Sequence, residues 1–189
     1  MMLIEKIANK LRVIDAFSSN RSNIGKRAKI GKNNKFKNVK NIKIGDNFYC
    51  GNNNRIYTWK KYNNEDTGFS PKLLIGNNVS INENCFITCV NGITIGDGCL
   101  LGDNVFVTDN SHGNNTIAEC DIIPQKRKLV SKGKVIIGKN VWIGRNVSIM
   151  PNVTIGNNVV IGANSVVTHS FEDNVVIAGV PARIIKKIN

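Results

Sequence analysis

From Ile137 onward a branched aliphatic residue returns at every sixth position, through Ile143, Ile149, Ile155, Ile161 and Val167, usually followed by Gly. A period of six is neither the 3.6 of a helix nor the simple alternation of a strand. Repeats this short mark a parallel β-helix, in which each hexad is one short strand plus a corner. Three hexads close a triangular coil, and successive coils stack at the ordinary strand spacing of about 4.8 Å. No coil is stable alone, because its inward residues and backbone groups need neighbours above and below.

The other hexad positions obey the same geometry. Four places after each inward aliphatic residue comes Val79, Cys85, Cys99, Val105, Val141, Val147, Val153, Val159 or Ser165, each small enough for a cramped corner. Gly or Asn at the intervening sites tolerates the positive φ of a tight corner. The abundance of Asn and Lys also reads as simple genome composition. Two further blocks share the register, Ile24 to Ile42 restarting at Ile44, and Ile75 to Ile93 restarting at Ile95, each with a slip of two residues. The stretches Tyr57 to Leu74 and Asn110 to Val135 fall outside it. Long unpatterned insertions in a solenoid carry function more often than structure, and the second of these is the favoured site.

Residues 2 to 17 carry a helical stripe of Leu3, Ile7, Leu11 and Ile14, with Glu5, Lys6, Lys10 and Arg12 off it. This predicts a short helix covering the open first coil, giving a cap over residues 1–20 and a β-helical domain over 21–189. That domain includes the extended loop 110–135 and the C-terminal tail. Peripheral contact with a membrane is the alternative reading of the helix. Its charges interrupt any apolar core a secretory signal would need, and no apolar run approaches the ~20 residues of a membrane span.

The five cysteines do not form a disulfide framework: Cys50 takes an inward position, Cys85 and Cys99 take corners, and Cys89 falls inside a coil. They behave as small apolar residues suited to a reducing cytoplasm, with Cys120 alone in the insertion. The net charge is +13, and between Arg21 and Lys61 twelve Lys or Arg residues face one acid, Asp46. Lys126, Arg127, Lys128, Lys132 and Lys134 form a second basic group. Such fields attract anionic partners: coenzyme A, a nucleotide sugar, an acidic polysaccharide or anionic lipid. Nucleic acid is disfavoured, because Tyr57, Trp59 and Tyr62 could stack on bases but no recognised binding motif accompanies them.

The hexads, the segment VTDNSHG from Val107 to Gly113, VIIGKNVWIG from Val135 to Gly144 and the ending AGVPARIIKK from Ala178 to Lys187 resemble the hexapeptide-repeat acetyltransferases. Within them the chain is similar to the maltose, galactoside and surface-polysaccharide O-acetyltransferases. The resemblance spans roughly residues 70 to 187. It implies an all-β, left-handed parallel β-helix with a short N-terminal helix and a protruding loop, a homotrimer, and active sites at clefts between subunits.

It also implies site residues. His112 matches the family's general-base histidine, and an unperturbed imidazole titrates where it can take a hydroxyl proton. Asp109, Asn110 or Ser111 could orient its ring. Trp142 matches the tryptophan beside the pantetheine and acceptor cleft, while Ala163, Thr168, Arg183 and Lys186 match positions that contact coenzyme A. Cationic side chains suit its phosphates. Two departures are visible: Arg145, a further candidate for the cofactor site, replaces a small residue, and His169 stands where lysine is common. The acceptor asparagine of the galactoside and maltose enzymes aligns with Thr88, with Asn84 and Asn91 as neighbouring candidates.

The expected reaction is acetyl transfer from acetyl-CoA to a carbohydrate hydroxyl, with no metal required and a cytoplasmic location, free or at the inner membrane surface. The acceptor sugar, itself an anionic candidate, belongs on this resemblance to a surface polysaccharide or its precursor. Alternatives are N-acetylation of a nucleotide-linked amino sugar, acetylation of a xenobiotic, and a non-enzymatic binding solenoid. The metal-dependent carbonic anhydrases of this fold need three histidine ligands per site; His112 and His169 cannot supply them from one chain type.

Overall fold

Each inward Ile or Val is followed by a corner that only a few residue types can turn, and this alternation winds the chain into a three-faced parallel coil. The computed structural model describes residues 2–18 and 20–188, without the side chains of residues 2, 3, 5 and 6. The first face stacks Lys29–Ile30, Tyr49–Cys50, Ser80–Ile81, Leu100–Leu101, Trp142–Ile143, Val160–Ile161 and Val175–Gly179. The second stacks Lys35–Lys37, Arg55–Thr58, Phe86–Cys89, Phe106–Thr108, Ser148–Ile149 and Val166–Val167. The third stacks Ile42–Ile44, Lys72–Ile75, Gly92–Ile95, Val135–Ile137 and Thr154–Ile155. The final strand, Ala182–Lys187, turns back antiparallel to Val175–Gly179 and covers that sheet edge.

Stacking the same hexad position in every coil builds the core. Ile56, Ile87, Val107, Ile149 and Val167 pair in register along the second face, and all five are buried. Each such side chain contributes roughly 1.5–3 kcal/mol by leaving water. All nine small corner residues from Val79 to Ser165 are buried as well. Among the described residues sixteen asparagines take positive φ, between 49° and 66°, and all but Asn63, Asn64 and Asn115 of the insertions do so at corners. Their amides bond from coil to coil, as in Asn104 to Asn146 to Asn164 at 2.9 Å per step. Asparagine is therefore a structural residue of this fold, since its short polar side chain tolerates the left-handed region.

The two-residue slips have one cause. Third-face strands bury two alternate residues, Ile42 with Ile44, Leu73 with Ile75, Ile93 with Ile95 and Val135 with Ile137. The extra length falls at the corner between the second and third faces. Both insertions leave from that corner. Residues 59–71 form a hairpin of Lys61–Tyr62 against Glu65–Asp66, and residues 109–134 form an arm that pairs Ser111–His112 with Leu129–Val130.

The helix Met2–Phe17 forms and lies on the first coil, bonding to it through Asn9 and Arg12 rather than through Ile7 and Leu11. Ile7 is 53% exposed and Leu11 60%, whereas Phe17 is buried and Val13 and Ala16 pack on the core. The side chains of Leu3, Glu5 and Lys6 lie outside the described residues. The reason is that the open coil presents backbone groups which need hydrogen-bond partners. Asn9 supplies them, accepting from the Ile30 N–H at 2.7 Å and donating to the Ala28 carbonyl at 3.1 Å. Arg12 Nε donates to the Ile30 carbonyl at 2.6 Å. No described helix is long and apolar enough to cross a membrane.

Candidate active site

The arm begins where the second-face strand Phe106–Thr108 ends, and its first turn is anchored by a buried carboxylate. Asp109 accepts from the N–H groups of Val90, Asn91 and Gly92 at 2.6–2.8 Å and from Asn110 Nδ2 at 2.9 Å. This fixes the neighbouring coil's corner under the arm. Asp109 makes no bond to the His112 ring: its carboxylate is taken up by three backbone N–H groups and the Asn110 side-chain amide. Asn110 Nδ2 also donates to the Thr88 carbonyl at 2.9 Å, and Ser111 Oγ to the Gly113 carbonyl at 3.1 Å. The Asp109, Asn110 and Ser111 bonds all run to groups other than the His112 ring.

His112 follows on the short antiparallel pair, exposed, with neither ring nitrogen hydrogen-bonded to another described residue. It stands at a pocket of ≈ 190 Å³ lined by Trp59, Tyr62, Phe86, Thr88, Phe106, Thr108, Asn110, Ser111 and Leu129. Thr88, 7% exposed, turns its hydroxyl toward this space and accepts from Trp59 Nε1 at 3.1 Å. Its role as the acceptor-side counterpart of His112 is thus geometrically open to it. Asn84 is not there: it occupies an exposed corner at φ 58°, where the fold needs a left-handed residue. Asn91 bonds to Ser131 Oγ at 3.4 Å, bracing the return of the arm.

The aromatic walls escaped the sequence reading in part. Phe86 and Phe106 precede inward residues, so they point outward, and their rings meet at 5.7 Å. A large aromatic at an outward hexad position was the available signal. Trp59 and Tyr62, read from the sequence as stacking residues, come from the first insertion. Tyr62 Oη and Asn63 Nδ2 donate to the Gln125 carbonyl at 3.1 and 2.8 Å, and Lys128 meets Glu65 at 3.7 Å. The hairpin and the arm therefore build one site together. In the hairpin, the Gly68 N–H and Lys60 hold the Asp66 carboxyl below its ordinary pKa.

The residues matched to the acyl donor lie elsewhere. Trp142 is 56% exposed on the first face, beside Leu100 and Val160 in register. Arg145 and Ala163 are exposed at the next corner; a Cβ on Gly144 would stand 2.7 Å from the Ala163 nitrogen, so the two coils touch there. Thr168, His169 and Arg183 form a hydrogen-bonded row, with Thr168 Oγ1 3.3 Å from His169 Nδ1 and Arg183 Nη1 3.4 Å from His169 Nε2. Lys186 is exposed on the returning strand. None of these seven lines the His112 pocket.

Burial pushes the thiol pKa up to about 12 at Cys50 and about 11 at Cys85, and raises it at Cys89 and Cys99. These thiols are packing groups, and Cys120 is exposed on the arm. Among the described residues no three His, Cys, Asp or Glu side chains gather as a metal site.

Comparison with known proteins places this geometry. The family model for bacterial transferase hexapeptide (six repeats) matches residues 134–169, and that for the hexapeptide repeat of succinyl-transferase matches residues 74–109. No curated protein matches the chain. Among solved structures, a variant of AntD, an N-acyltransferase from Bacillus cereus in complex with dTDP and coenzyme A, is 30% identical. That match covers 88% of this chain and 84% of AntD, with a TM-score of 0.62. A galactoside acetyltransferase in complex with coenzyme A is 28% identical over 98% of this chain and 81% of its own, with a TM-score of 0.59. A hexapeptide-repeat containing acetyltransferase from Vibrio cholerae, complexed with acetyl coenzyme A, shares the fold at 23% identity and a TM-score of 0.55. A three-faced coil of hexads, matched by both repeat models and by these transferases, assigns the chain to the left-handed β-helix, hexapeptide-repeat acetyltransferase family.

Proposed function

We propose that the protein transfers an acetyl group from acetyl-CoA to a carbohydrate hydroxyl, in a surface polysaccharide or its precursor, with His112 as general base. The observation that carries this reading is the His112 imidazole, exposed and without a described hydrogen-bond partner, beside a pocket walled by four aromatic rings. Aromatic faces suit the C–H faces of a sugar ring. The hydroxyl gives its proton to His112 as its oxygen forms the new bond to the acetyl carbon. The tetrahedral oxyanion then collapses, the carbon–sulfur bond breaks, and the leaving thiolate takes the proton back from the imidazolium.

Trp142, Ala163, Thr168, Arg183 and Lys186 would hold the acyl donor, with the cationic side chains on its phosphates. They sit on a different part of the prism from His112, which supports a homotrimer in which one copy offers the base and a neighbour the donor. Holding both substrates across that cleft would supply much of the rate. A cytoplasmic location is in keeping with the use of acetyl-CoA.

A second reading is acylation of an amine on a nucleotide-linked sugar, favoured by the similarity to AntD. Paired hydroxy- and amino-sugars offered with acetyl-CoA distinguish the two. The central test is His112→Ala, assayed by thiol release in a variant shown to be folded. A loss of roughly 10²–10⁴-fold in kcat is expected. Turnover near the native rate would remove His112 from the chemistry.

A further inference from the structure

The second face continues below the His112 pocket as a strip of rings and cations. Its outward rows run Lys35, Arg55, Phe86, Phe106 and Lys37, Tyr57, Thr88, Thr108, in register from coil to coil. From His112 the rings touch in sequence: Tyr62 at 5.3 Å, then Trp59 at 5.8 Å, Tyr57 at 5.8 Å and Phe86 at 5.5 Å. Two cations lie on this chain, Lys37 Nζ 3.8 Å from the Trp59 ring centre and Arg55 Cζ 4.5 Å from that of Phe86.

Both cations are exposed, and neither meets a carboxylate within 4.0 Å among the described residues. Asp46, the lone acid of the basic region, accepts from the backbone N–H of Lys26 and faces other partners. A ring holds an exposed cation only weakly, so a phosphate can draw it away. Arg55 stands two strand spacings, about 9.6 Å, from the coil that leads into His112. A sugar ring on the Phe86 and Phe106 walls would bridge that gap.

We infer that the acceptor is a phosphorylated sugar, whose ring rests on the aromatic walls and whose phosphate or diphosphate is held by Lys37 and Arg55. This deepens the acetyltransferase reading and rests on it. Arg55 offers paired donors to phosphate oxygens, and Lys37 a point charge. The phosphate comes either from a sugar 1-phosphate or from a nucleoside diphosphate sugar, in which case Tyr57 is placed to meet the base.

The test compares wild type with Lys37→Gln/Arg55→Gln, using methyl β-galactoside, galactose 1-phosphate and UDP-galactose as acceptors. In wild type kcat/KM for the phosphorylated acceptors should exceed that for the glycoside at least tenfold. In the variant this ratio should fall at least tenfold, through KM. Higher kcat/KM with UDP-galactose than with galactose 1-phosphate assigns the nucleotide source, and equality assigns phosphate alone. Wild type that prefers the neutral glycoside, or a variant that keeps the native ratio, overturns the inference and leaves the acetyltransferase intact. Calorimetry with inorganic pyrophosphate on the CoA-saturated protein reads the same site without turnover. There the variant should bind at least tenfold more weakly, and equal binding also overturns the inference. Failure of wild type to bind CoA would instead defeat the reading beneath it.

Discussion

The Tyr62 ring stands edge-on to the His112 imidazole, with centroids 5.3 Å apart and planes at 67°. Its hydroxyl simultaneously ties the hairpin to the arm through the Gln125 carbonyl. One insertion therefore props the other, and His112 acquires its position from a segment some fifty residues earlier in the chain. This is possible because both insertions leave the prism at the same corner, from coils on either side of Val90 and Asn91.

Tyr62→Ala should lower kcat about tenfold, as expected for a base misplaced within its pocket. Tyr62→Phe keeps the ring contact and loses one hydrogen bond of about 1 kcal/mol, so it should retain most of the activity. Steady-state kinetics over a pH range separate the cases: the profile keeps its shape while its height falls in the alanine variant. Native kcat in Tyr62→Ala would show that the hairpin does not position His112.

Asp109→Asn should destabilise the protein by about 3 kcal/mol, because an amide cannot accept the three N–H bonds that the carboxylate takes from Val90, Asn91 and Gly92. Urea denaturation measures this. A variant of native stability with abolished turnover would return Asp109 to the chemistry.

Asn158 holds a corner at φ 56° and accepts from Asn140 while donating to Asn174. Asn158→Ala should cost about 1–2 kcal/mol for the left-handed backbone. Asn158→Gly should cost less, since glycine adopts that conformation freely. Equal midpoints for the two variants in chemical denaturation would refute the corner argument.

Thiol titration should find one reactive cysteine, Cys120, in the native protein and all five after denaturation. Burial raises the Cys50 pKa from 9.0 to about 12 and that of Cys85 to about 11. Above the unfolded value the unfolded chain binds fewer protons than the native one, so stability must fall as pH rises. The contribution is complete below about pH 9 and is lost progressively between 9 and 12. Unfolding free energies that stay flat across that window would contradict the burial of these thiols.

The hexad made the coil legible because period-six aliphatic residues have few other ways to leave water, and every inward residue from Ile137 to Val167 is buried. His112 was legible too, as a histidine at the start of the unpatterned segment. The surroundings of Asp109 and Asn84 were not legible, for opposite reasons. Asp109 looked like a partner for its near neighbour in sequence, yet its carboxylate points to the coil below. Asn84 looked like a ligand, yet it is one of many asparagines that turn corners. In the helix, hydropathy alone does not register the backbone groups of the first coil that Asn9 and Arg12 satisfy.

The sequence by itself determined the coil, its core and its corners, because each depends on residues repeated at a fixed short spacing. Only the tertiary structure decided the composition of the site. Trp59, Tyr62, Phe86, Phe106 and His112 lie on two insertions and two strands, and they meet when stacked coils bring residues 20 to 50 positions apart to neighbouring levels. Contacts between coils depend on where each insertion leaves the prism, and no local pattern in the chain encodes that.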